Sequence, residues 1–264
     1  MKCLSSLLGL ILAVAVAAPS AAAWNELEVK SGQTNILSKV TKMAHKGTVT
    51  VFDLDSTAFD NRPRNLRIFQ EYASAHNEPS LFKVKREHFT GWPIAETLEN
   101  AGFSKQEIAR IEPGLKTFWK KRFFTSEYAK FDVPLPGIVD YINKIYNSGA
   151  TIVYLTGRNE LMRKGSEQAL KYFGFPINQA RSQLIMKPAK LKTDKGDNDY
   201  KASAAKEILK MGKVIAYFDN EPSHVNKLDA FFTEAEIVFV DTDHSPKKVK
   251  PLSKFPQIYG FLTK

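Results

Sequence analysis

Five short apolar runs recur along the chain, each bounded by polar residues. They cover residues 48–53, 151–155, 183–186, 213–218 and 235–240. Short runs that are apolar without alternation are typical of strands buried on both faces of a sheet. Because helical patterns separate the later runs, the chain is predicted to form an α/β fold, with a mostly parallel sheet covered by helices on both sides.

Helices are predicted between the later strands, and two of them have clear stop signals. One helix ends before Gly149, and the next, over 160–173, ends before Gly174, because glycine readily closes a helix. Further helices are predicted over 201–210 and 222–231.

A long segment interrupts the alternation of strands and helices. The 76 residues of 58–133 separate the first strand from the others and are rich in helix formers and aromatic side chains. A segment this long and this apolar is not a loop. We interpret it as a mainly helical subdomain, called the cap below, inserted into an α/β core made of 24–57 and 134–264.

The first 23 residues have the pattern of a secretory signal peptide. Lys2 precedes an apolar run over 7–18, and small residues lead up to Ala23. A membrane anchor fits less well, because the run has 12 residues whereas a spanning helix needs about 20. We therefore expect an exported protein, periplasmic or secreted, with no stable membrane span after cleavage. It would lose the chain's one cysteine, Cys3, and fold without disulfides.

Composition and charge narrow the range of partners. The 264 residues are 43% hydrophobic, which excludes a disordered chain, and carry a net charge of +10, or +9 once Lys2 is removed. Such an excess favours anionic partners. No nucleic-acid-binding motif accompanies it, so a small phosphorylated substrate is expected rather than nucleic acid.

Polar motifs follow three of the predicted strands. Asp53 and Asp55 end the first run, Thr156 and Gly157 follow the second, and Asp219 follows the fourth. Asp and Ser are common turn formers, so the first motif alone is ambiguous. The carboxyl ends of parallel strands share one edge of the sheet, however, and ligands bind at that edge in α/β folds.

In these motifs the chain resembles the haloacid dehalogenase (HAD) superfamily, specifically its phosphatases with a helical cap inserted after the first motif. The resemblance covers nearly the whole chain after residue 23 and rests on Asp53-Leu54-Asp55-Ser56-Thr57, on Thr156, on a lysine before the fourth strand and on Asp219. It implies a Rossmann-like parallel sheet with strand order 5-4-1-2-3. It also implies a magnesium-dependent phosphomonoester hydrolase that acts through an aspartyl-phosphate.

The resemblance gives each motif residue a role that phosphoryl chemistry requires. Asp53 is the nucleophile, and Asp55 protonates the leaving oxygen and later accepts a proton from water. Mg²⁺ lies between the carboxylates of Asp53 and Asp219 and the backbone carbonyl of Asp55, offsetting the repulsion between anions. The Thr156 hydroxyl, the Gly157 amide and a lysine bind the phosphoryl oxygens.

Two parts of the motif set have more than one reading. The lysine is either Lys201, which opens the predicted helix that leads into the fourth strand and is preferred, or Lys187, which follows the third strand. After Asp219 the chain has Asn220 and Glu221 where adjacent aspartates are commoner, so either residue is expected to act on the metal through water.

Alternative functions differ in what happens to the phosphoryl group. A phosphotransferase would pass it to an acceptor other than water, and an exported basic binding protein with a silent site would not transfer it. A dehalogenase is disfavoured because Asp55 supplies an acid that those enzymes lack. Arg62 and Arg64 follow the first motif closely enough to reach a second anionic group of the substrate, but exposure to solvent is expected for both. The histidines show no metal-ligand spacing. The substrate and the oligomeric state stay open.

Overall fold

The computed structural model of the chain describes residues 33–189 and 194–263. The predicted signal peptide, 1–23, and Cys3 lie outside the described residues. Among the described residues, no helix is both long enough and apolar enough to cross a bilayer.

The described chain forms a parallel sheet and a small two-stranded ribbon. The strands are β1 (Thr48–Phe52), β2 (Phe59–Asp60), β3 (Val133–Pro134), β4 (Thr151–Asn159), β5 (Ser182–Lys187), β6 (Lys213–Asp219), β7 (Glu236–Val240) and β8 (Gln257–Ile258). The sheet has the order β5-β4-β1-β6-β7-β8, and its neighbouring strands pair in parallel.

The sheet confirms the predicted α/β fold and differs from the prediction in one detail. The five predicted strands correspond to β1, β4, β5, β6 and β7, and they lie in the predicted order 5-4-1-2-3. A sixth strand, β8, extends the sheet beyond β7. It has two residues and lacks an apolar run, so its sequence carries no strand pattern.

Helices cover both faces of this sheet. The helices of the described chain are α1 (Gln33–Met43), α2 (Arg62–Ala75), α3 (Ile94–Asn100), α4 (Lys105–Phe123), α5 (Ile138–Asn147), α6 (Arg163–Tyr172), α7 (Asp194–Ile208) and α8 (Pro222–Asp229), of which α2, α3 and α4 lie in the cap and do not cover the sheet. One apolar core joins α1, α5 and α6 to the sheet, and a second joins α7 and α8 to the opposite face. The connections from β1 and β6 therefore run to opposite sides, which makes the carboxyl ends of these two strands the switch point of the fold.

One predicted helix begins earlier than expected, and one helix was not predicted. The predicted helix 201–210 begins earlier, at Asp194, so Lys201 lies inside α7 and does not open it. The polar residues before Lys201 gave no apolar stripe to follow. Helix α1 was not predicted, although it buries Ile36, Leu37 and Val40 against the core.

The cap leaves and rejoins the core through the ribbon of β2 and β3. Phe59 pairs with Pro134 and Asp60 with Val133, in antiparallel register. Between them, α2, α3 and α4 bury their own apolar cluster, as expected for a helical insertion. The domain division itself, 24–57 and 134–264 against 58–133, stays a prediction.

Gly137 closes the return from the cap, and replacing it tests this packing. It precedes α5 with a φ of +78°, and a Cβ there would lie 2.7 Å from the carbonyl carbon and oxygen of Phe261. We expect Gly137→Ala to lower the free energy of unfolding by about 2–4 kcal/mol, from backbone strain plus overpacking. Gly174→Ala is the matched control, because its φ is +81° but no atom lies within 4 Å. It should cost about 1 kcal/mol. Equal losses in urea denaturation would show that the Phe261 contact is unimportant.

Candidate active site

Two carboxylates from adjacent strands meet on one buried ammonium group. Asp219 ends β6, Asp53 directly follows β1, and the backbone N–H of Asp53 donates to Phe218 of β6 (2.9 Å). Lys201 reaches them from α7, and its Nζ lies 2.7 Å from Oδ1 of Asp53 and 2.6 Å from Oδ2 of Asp219. The side chains of Lys201 and Asp219 are fully buried, and that of Asp53 is 7% exposed. These three residues form the centre of the candidate site, at the switch point of the sheet.

The two carboxylates of this centre differ in proton affinity. Burial raises the pKa of Asp53 to about 8, and the charges of Asp219 and Asp55 add to this effect while Lys201 opposes it. Burial would also raise the pKa of Asp219, but Lys201 and His224 outweigh it and hold that pKa below its usual range. The paired carboxylates in turn raise the pKa of Lys201 in spite of its burial. Lys201 is therefore charged, and Asp53 is the carboxylate with too little compensating charge.

Asp219 is held by several donors besides Lys201. Its Oδ1 accepts from the Glu221 amide (2.8 Å), and its Oδ2 accepts from the Tyr217 hydroxyl and lies 3.2 Å from Nδ1 of His224. A role for His224 was not expected from the sequence, where it has no motif. The strand-to-helix turn from β6 into α8 brings it back onto Asp219.

The structure places the two candidate lysines differently. Lys187 is the last residue of β5 and pairs with Asp197 of α7, whereas Lys201 contacts both carboxylates of the centre. Lys201 lies in the interior of α7, and its side chain extends to the edge of the sheet where the strands end. The geometry therefore favours Lys201, the preferred reading of the sequence.

The side chains of Asn220 and Glu221 form hydrogen bonds with other residues of the chain. The Asn220 Oδ1 accepts from the Thr57 hydroxyl (3.2 Å), and its Nδ2 donates to the backbone carbonyl of Asp243. Glu221 accepts from the backbone N–H (3.0 Å) and the hydroxyl (2.9 Å) of Ser245. Both side chains thus fasten the loop after β7 to the site. Their expected action on a metal stays a prediction.

Thr156 and Gly157 lie near the carboxyl end of β4, the strand that pairs with β1. Thr156 is buried in β4, and its hydroxyl oxygen accepts from the Arg158 amide (3.1 Å). A Cβ on Gly157 would lie 3.5 Å from a carboxylate oxygen of Asp197, which is an ordinary contact distance. The Thr156 hydroxyl keeps its own hydrogen for another acceptor.

Asp55 is bound by Arg158, for which the sequence predicts no role. Arg158 donates from Nε to Oδ2 of Asp55 (2.9 Å) and from Nη2 to Oδ1 (2.7 Å), a two-point contact. Burial would raise the pKa of Asp55, but Arg158, followed by Arg64, holds it below its usual range. The Asp55 side chain is 18% exposed and ionised. The arginine lies two residues after Thr156, at the same sheet edge, which is the signal that could have identified it.

Arg64 and Asp132 of the cap complete this charged cluster. The expectation that Arg64 is exposed is wrong: the side chain is fully buried, stacks on Phe123 (4.4 Å) and binds Asp132 through two nitrogens. Arg62 is also not free in solvent, because it pairs with Asp243. Sequence position suggested exposure because both arginines start a polar helix. The ribbon of β2 and β3 instead turns Arg64 inward.

The residues present fit a hard divalent cation. Asp53 and Asp219 offer carboxylate oxygens at one point of the sheet edge, which is the ligand type Mg²⁺ prefers. Burial raises the pKa of Asp53, with the charges of Asp219 and Asp55 adding to the effect, so a cation at this point would favour the ionised carboxylate. Among the described residues, no three His, Cys, Asp or Glu side chains converge on a metal-sized point, so the site depends on these two carboxylates with backbone and water oxygens. The magnesium site itself stays a prediction.

The raised pKa of Asp53 predicts how the stability of the metal-free protein depends on pH. Asp53 ionises near pH 4 in the unfolded chain and near pH 8 in the folded protein, so between these values the folded state binds one proton more. Stability from this group therefore decreases as pH rises from 4 to 8. In EDTA, Asp53→Asn should raise the free energy of unfolding relative to wild type by at least about 1 kcal/mol more at pH 8 than at pH 5.

Urea denaturation at both pH values measures this difference. Asp140→Asn, at an exposed position of α5, is the matched control and should show no such pH dependence. An Asp53→Asn effect that is the same at pH 5 and pH 8 would mean that Asp53 is ionised throughout this range in the folded protein.

Comparisons with known proteins agree with this geometry. A family model described as HAD superfamily, subfamily IIIB (acid phosphatase), matches residues 92–220, from within the cap to the turn after β6. The match includes Thr156, Lys201 and Asp219 but begins after Asp53 and Asp55. No curated protein matches the chain.

Solved structures with related folds come from several bacteria. A HAD-superfamily hydrolase of subfamily IA from Geobacter sulfurreducens is 12% identical, with a TM-score of 0.50 over 81% of this chain and 92% of that one. Protein tyrosine kinase A of Mycobacterium tuberculosis is 17% identical, with a TM-score of 0.46 over 77% and 95%. The first of these shows a shared fold. The family match over residues 92–220 shows that this part of the chain is similar to the acid phosphatases of the HAD superfamily, and the motif residues gathered at one sheet edge agree with that similarity.

Proposed function

We propose that the protein is an exported, magnesium-dependent phosphomonoester hydrolase that forms an aspartyl-phosphate on Asp53. The observation that carries the proposal is the position of Lys201, with Nζ 2.7 Å from Asp53 and 2.6 Å from Asp219 at the switch point of the sheet. A buried ammonium at this point offsets the charge of the nucleophile and attracts an anionic substrate. The signal pattern of 1–23 supports export to the periplasm or beyond the cell.

The first half of the reaction transfers the phosphoryl group to the protein. A carboxylate oxygen of Asp53 attacks phosphorus, the bond to the leaving oxygen breaks, and that oxygen takes its proton from Asp55. Lys201, the Thr156 hydroxyl and the Gly157 amide provide donors for the phosphoryl oxygens. Lys201 in the interior of α7 and the two donors near the end of β4 would stabilise the charge that develops on the phosphoryl group.

The second half returns Asp53 to its starting state. Water attacks phosphorus and gives a proton to Asp55, and the bond from phosphorus to the Asp53 oxygen breaks. The ionised state in which Arg158 holds Asp55 is the state that accepts this proton. Arg158 thus prepares Asp55 for the hydrolytic half of the cycle.

A bound magnesium ion would be held by the carboxylates of Asp53 and Asp219 and by the backbone carbonyl of Asp55. When bound, it supplies positive charge that lowers the repulsion between Asp53 and a phosphate dianion. Tyr217 and the Glu221 amide keep the Asp219 carboxylate oriented.

The direct test of the proposed function is a panel of phosphomonoesters with wild type and Asp53→Asn. We expect turnover in Mg²⁺, its loss in excess EDTA, and a fall of at least about 1,000-fold in Asp53→Asn, because the isosteric amide cannot attack phosphorus. Circular dichroism should show both proteins folded, and Asp140→Asn should keep wild-type activity. Full turnover in EDTA would exclude the metal dependence, and Asp53→Asn activity within tenfold of wild type would falsify the covalent mechanism.

Product analysis in the same assay separates hydrolysis from transfer. Equal amounts of inorganic phosphate and alcohol indicate hydrolysis. Less phosphate than alcohol in the presence of an added acceptor alcohol would favour the phosphotransferase alternative. A folded wild type that turns over no member of the panel would favour a silent binding protein.

The two lysines provide a matched pair of variants. Lys201→Ala removes the ammonium group that contacts both Asp53 and Asp219, and turnover should fall on the order of 100-fold or more. Lys187→Ala breaks only the pair with Asp197, and turnover should change by less than about threefold, as for a partly exposed ion pair. Steady-state rates of both variants decide the assignment, and a large loss only in Lys187→Ala would move the motif lysine to β5.

A further inference from the structure

We propose that Arg64 and Asp132 of the cap are positioning residues for the leaving-group acid Asp55, acting through Arg158. The proposal rests on the proposed function, since it assumes that Asp55 protonates the leaving oxygen. In this proposal the cap not only covers the site but also orients the side chain of Asp55.

Arg64 and Asp132 lie at the two points where the chain passes between core and cap. Arg64 is in the first turn of α2, shortly after β2, and Asp132 directly precedes β3. Arg64 donates from Nε to Oδ1 of Asp132 (2.8 Å) and from Nη2 to Oδ2, so the pair links the two connections. Both side chains are fully buried. The pair therefore fixes the base of the cap rather than its outer surface.

Arg158 carries this linkage to the catalytic acid. Its Nη2 lies 2.7 Å from Oδ2 of Asp132 and 2.7 Å from Oδ1 of Asp55, so one nitrogen joins a cap carboxylate to a core carboxylate. Arg64 Nη2 also lies 3.5 Å from the same oxygen of Asp55. Two arginines and two aspartates thus form a neutral group that is almost completely removed from water.

The remaining contacts leave each arginine little freedom. Arg64 also donates to the Phe123 carbonyl (3.0 Å) and stacks on the Phe123 ring, and Arg158 donates to the Ser166 hydroxyl (3.2 Å) at the start of α6. Planar guanidinium groups held at several nitrogens set direction as well as charge. Losing Asp132 would free one arm of Arg158 and leave two arginines competing for Asp55.

Position matters for Asp55 because proton transfer needs the carboxyl within hydrogen-bond reach of the leaving oxygen. A misplaced acid slows the release of a poor leaving group much more than the release of a good one, because a good leaving group departs without a proton. A general loss of structure slows both alike. Dependence on the leaving group therefore separates positioning of the acid from a merely structural role.

The test compares an alkyl phosphate, glycerol 2-phosphate, with 4-nitrophenyl phosphate in the full chain with Mg²⁺. For Asp132→Asn and Arg64→Lys we expect kcat/KM for the alkyl ester to fall on the order of 10- to 100-fold, within the range that acid catalysis supplies. The loss for the nitrophenyl ester should be below about threefold. Arg67→Lys is the matched control for Arg64→Lys, because Arg67 lies on the same helix but is exposed and paired with Glu71. It should leave both esters unchanged.

A double-variant measurement checks that the effect passes through Asp55. In an Asp55→Asn background, adding Arg64→Lys or Asp132→Asn should cause no further loss that is selective for the alkyl ester, since coupled residues are not additive. Arg64→Lys keeps the charge, so it decides the matter if Asp132→Asn does not fold.

The outcomes separate this inference from the proposed function. A wild type without phosphatase activity would refute the proposed function and this inference with it. An active wild type whose Arg64→Lys variant loses both esters equally, or neither, overturns the positioning role and leaves the proposed function standing. A loss confined to the alkyl ester supports it.

Discussion

The site depends on one interaction, the contact of the Lys201 ammonium with two buried carboxylates. Asp53 and Asp219 come from strands that are separated by more than 150 residues in sequence but are neighbours in the sheet. Two such carboxylates with no cation between them would be strongly destabilising in a buried environment. The ammonium group of Lys201, which α7 brings within hydrogen-bond distance of both side chains, therefore stabilises the pairing of β1 with β6.

Because Asp53 and Asp219 must stay close to Lys201, the loops around them are held by many hydrogen bonds. Thr57 and Asn220 join the loops after β1 and β6, and the Thr242 hydroxyl donates to the carbonyl of Ser56, so the segment after β7 is fastened to the same place. Ser56 itself has a φ of +57°, an unusual value for a residue with a side chain. Such a conformation persists where surrounding contacts determine it. Rigid loops at this edge hold Asp53 and Asp55 at fixed distances from Lys201 and Arg158.

The sheet could be predicted from the sequence because its strands are buried on both faces. Continuous apolar runs such as 213–218 leave few alternatives, and the polar residues that follow them mark the edge where they end. Asp53 and Asp219 were identified in this way, whereas Lys201 was preferred over Lys187 through the resemblance to the haloacid dehalogenase superfamily; the structure brings the three side chains together. The two aspartates follow strands that are neighbours in the sheet.

The charged cluster around Asp55 could not be predicted by the same means. Arg158 is near a motif, but Arg64 and Asp132 are 68 residues apart and meet only because the ribbon of β2 and β3 pairs the two ends of the cap. Nothing local distinguishes Arg64 from Arg62, which is partly exposed and binds Asp243. A ribbon with two residues per strand has almost no recognisable sequence pattern, so the contacts that it creates cannot be predicted from the sequence either.

The two aspartates of the first motif also differ in a way that bears on the proposed mechanism. Burial raises the pKa of Asp53 to about 8, whereas Arg158 keeps the pKa of Asp55 below its usual range. In the protein without ligands, the proton is therefore on the nucleophile and absent from the acid, the reverse of what the first step needs. Positive charge beside Asp53 and Asp219 lowers the first pKa, and a phosphate dianion beside Asp55 raises the second. In the proposed mechanism, the charges of the bound ligands would thus bring the two carboxylates into their working states, and the separation of the two pKa values agrees with different roles for them. Such a site would be ready for reaction only with its substrate bound.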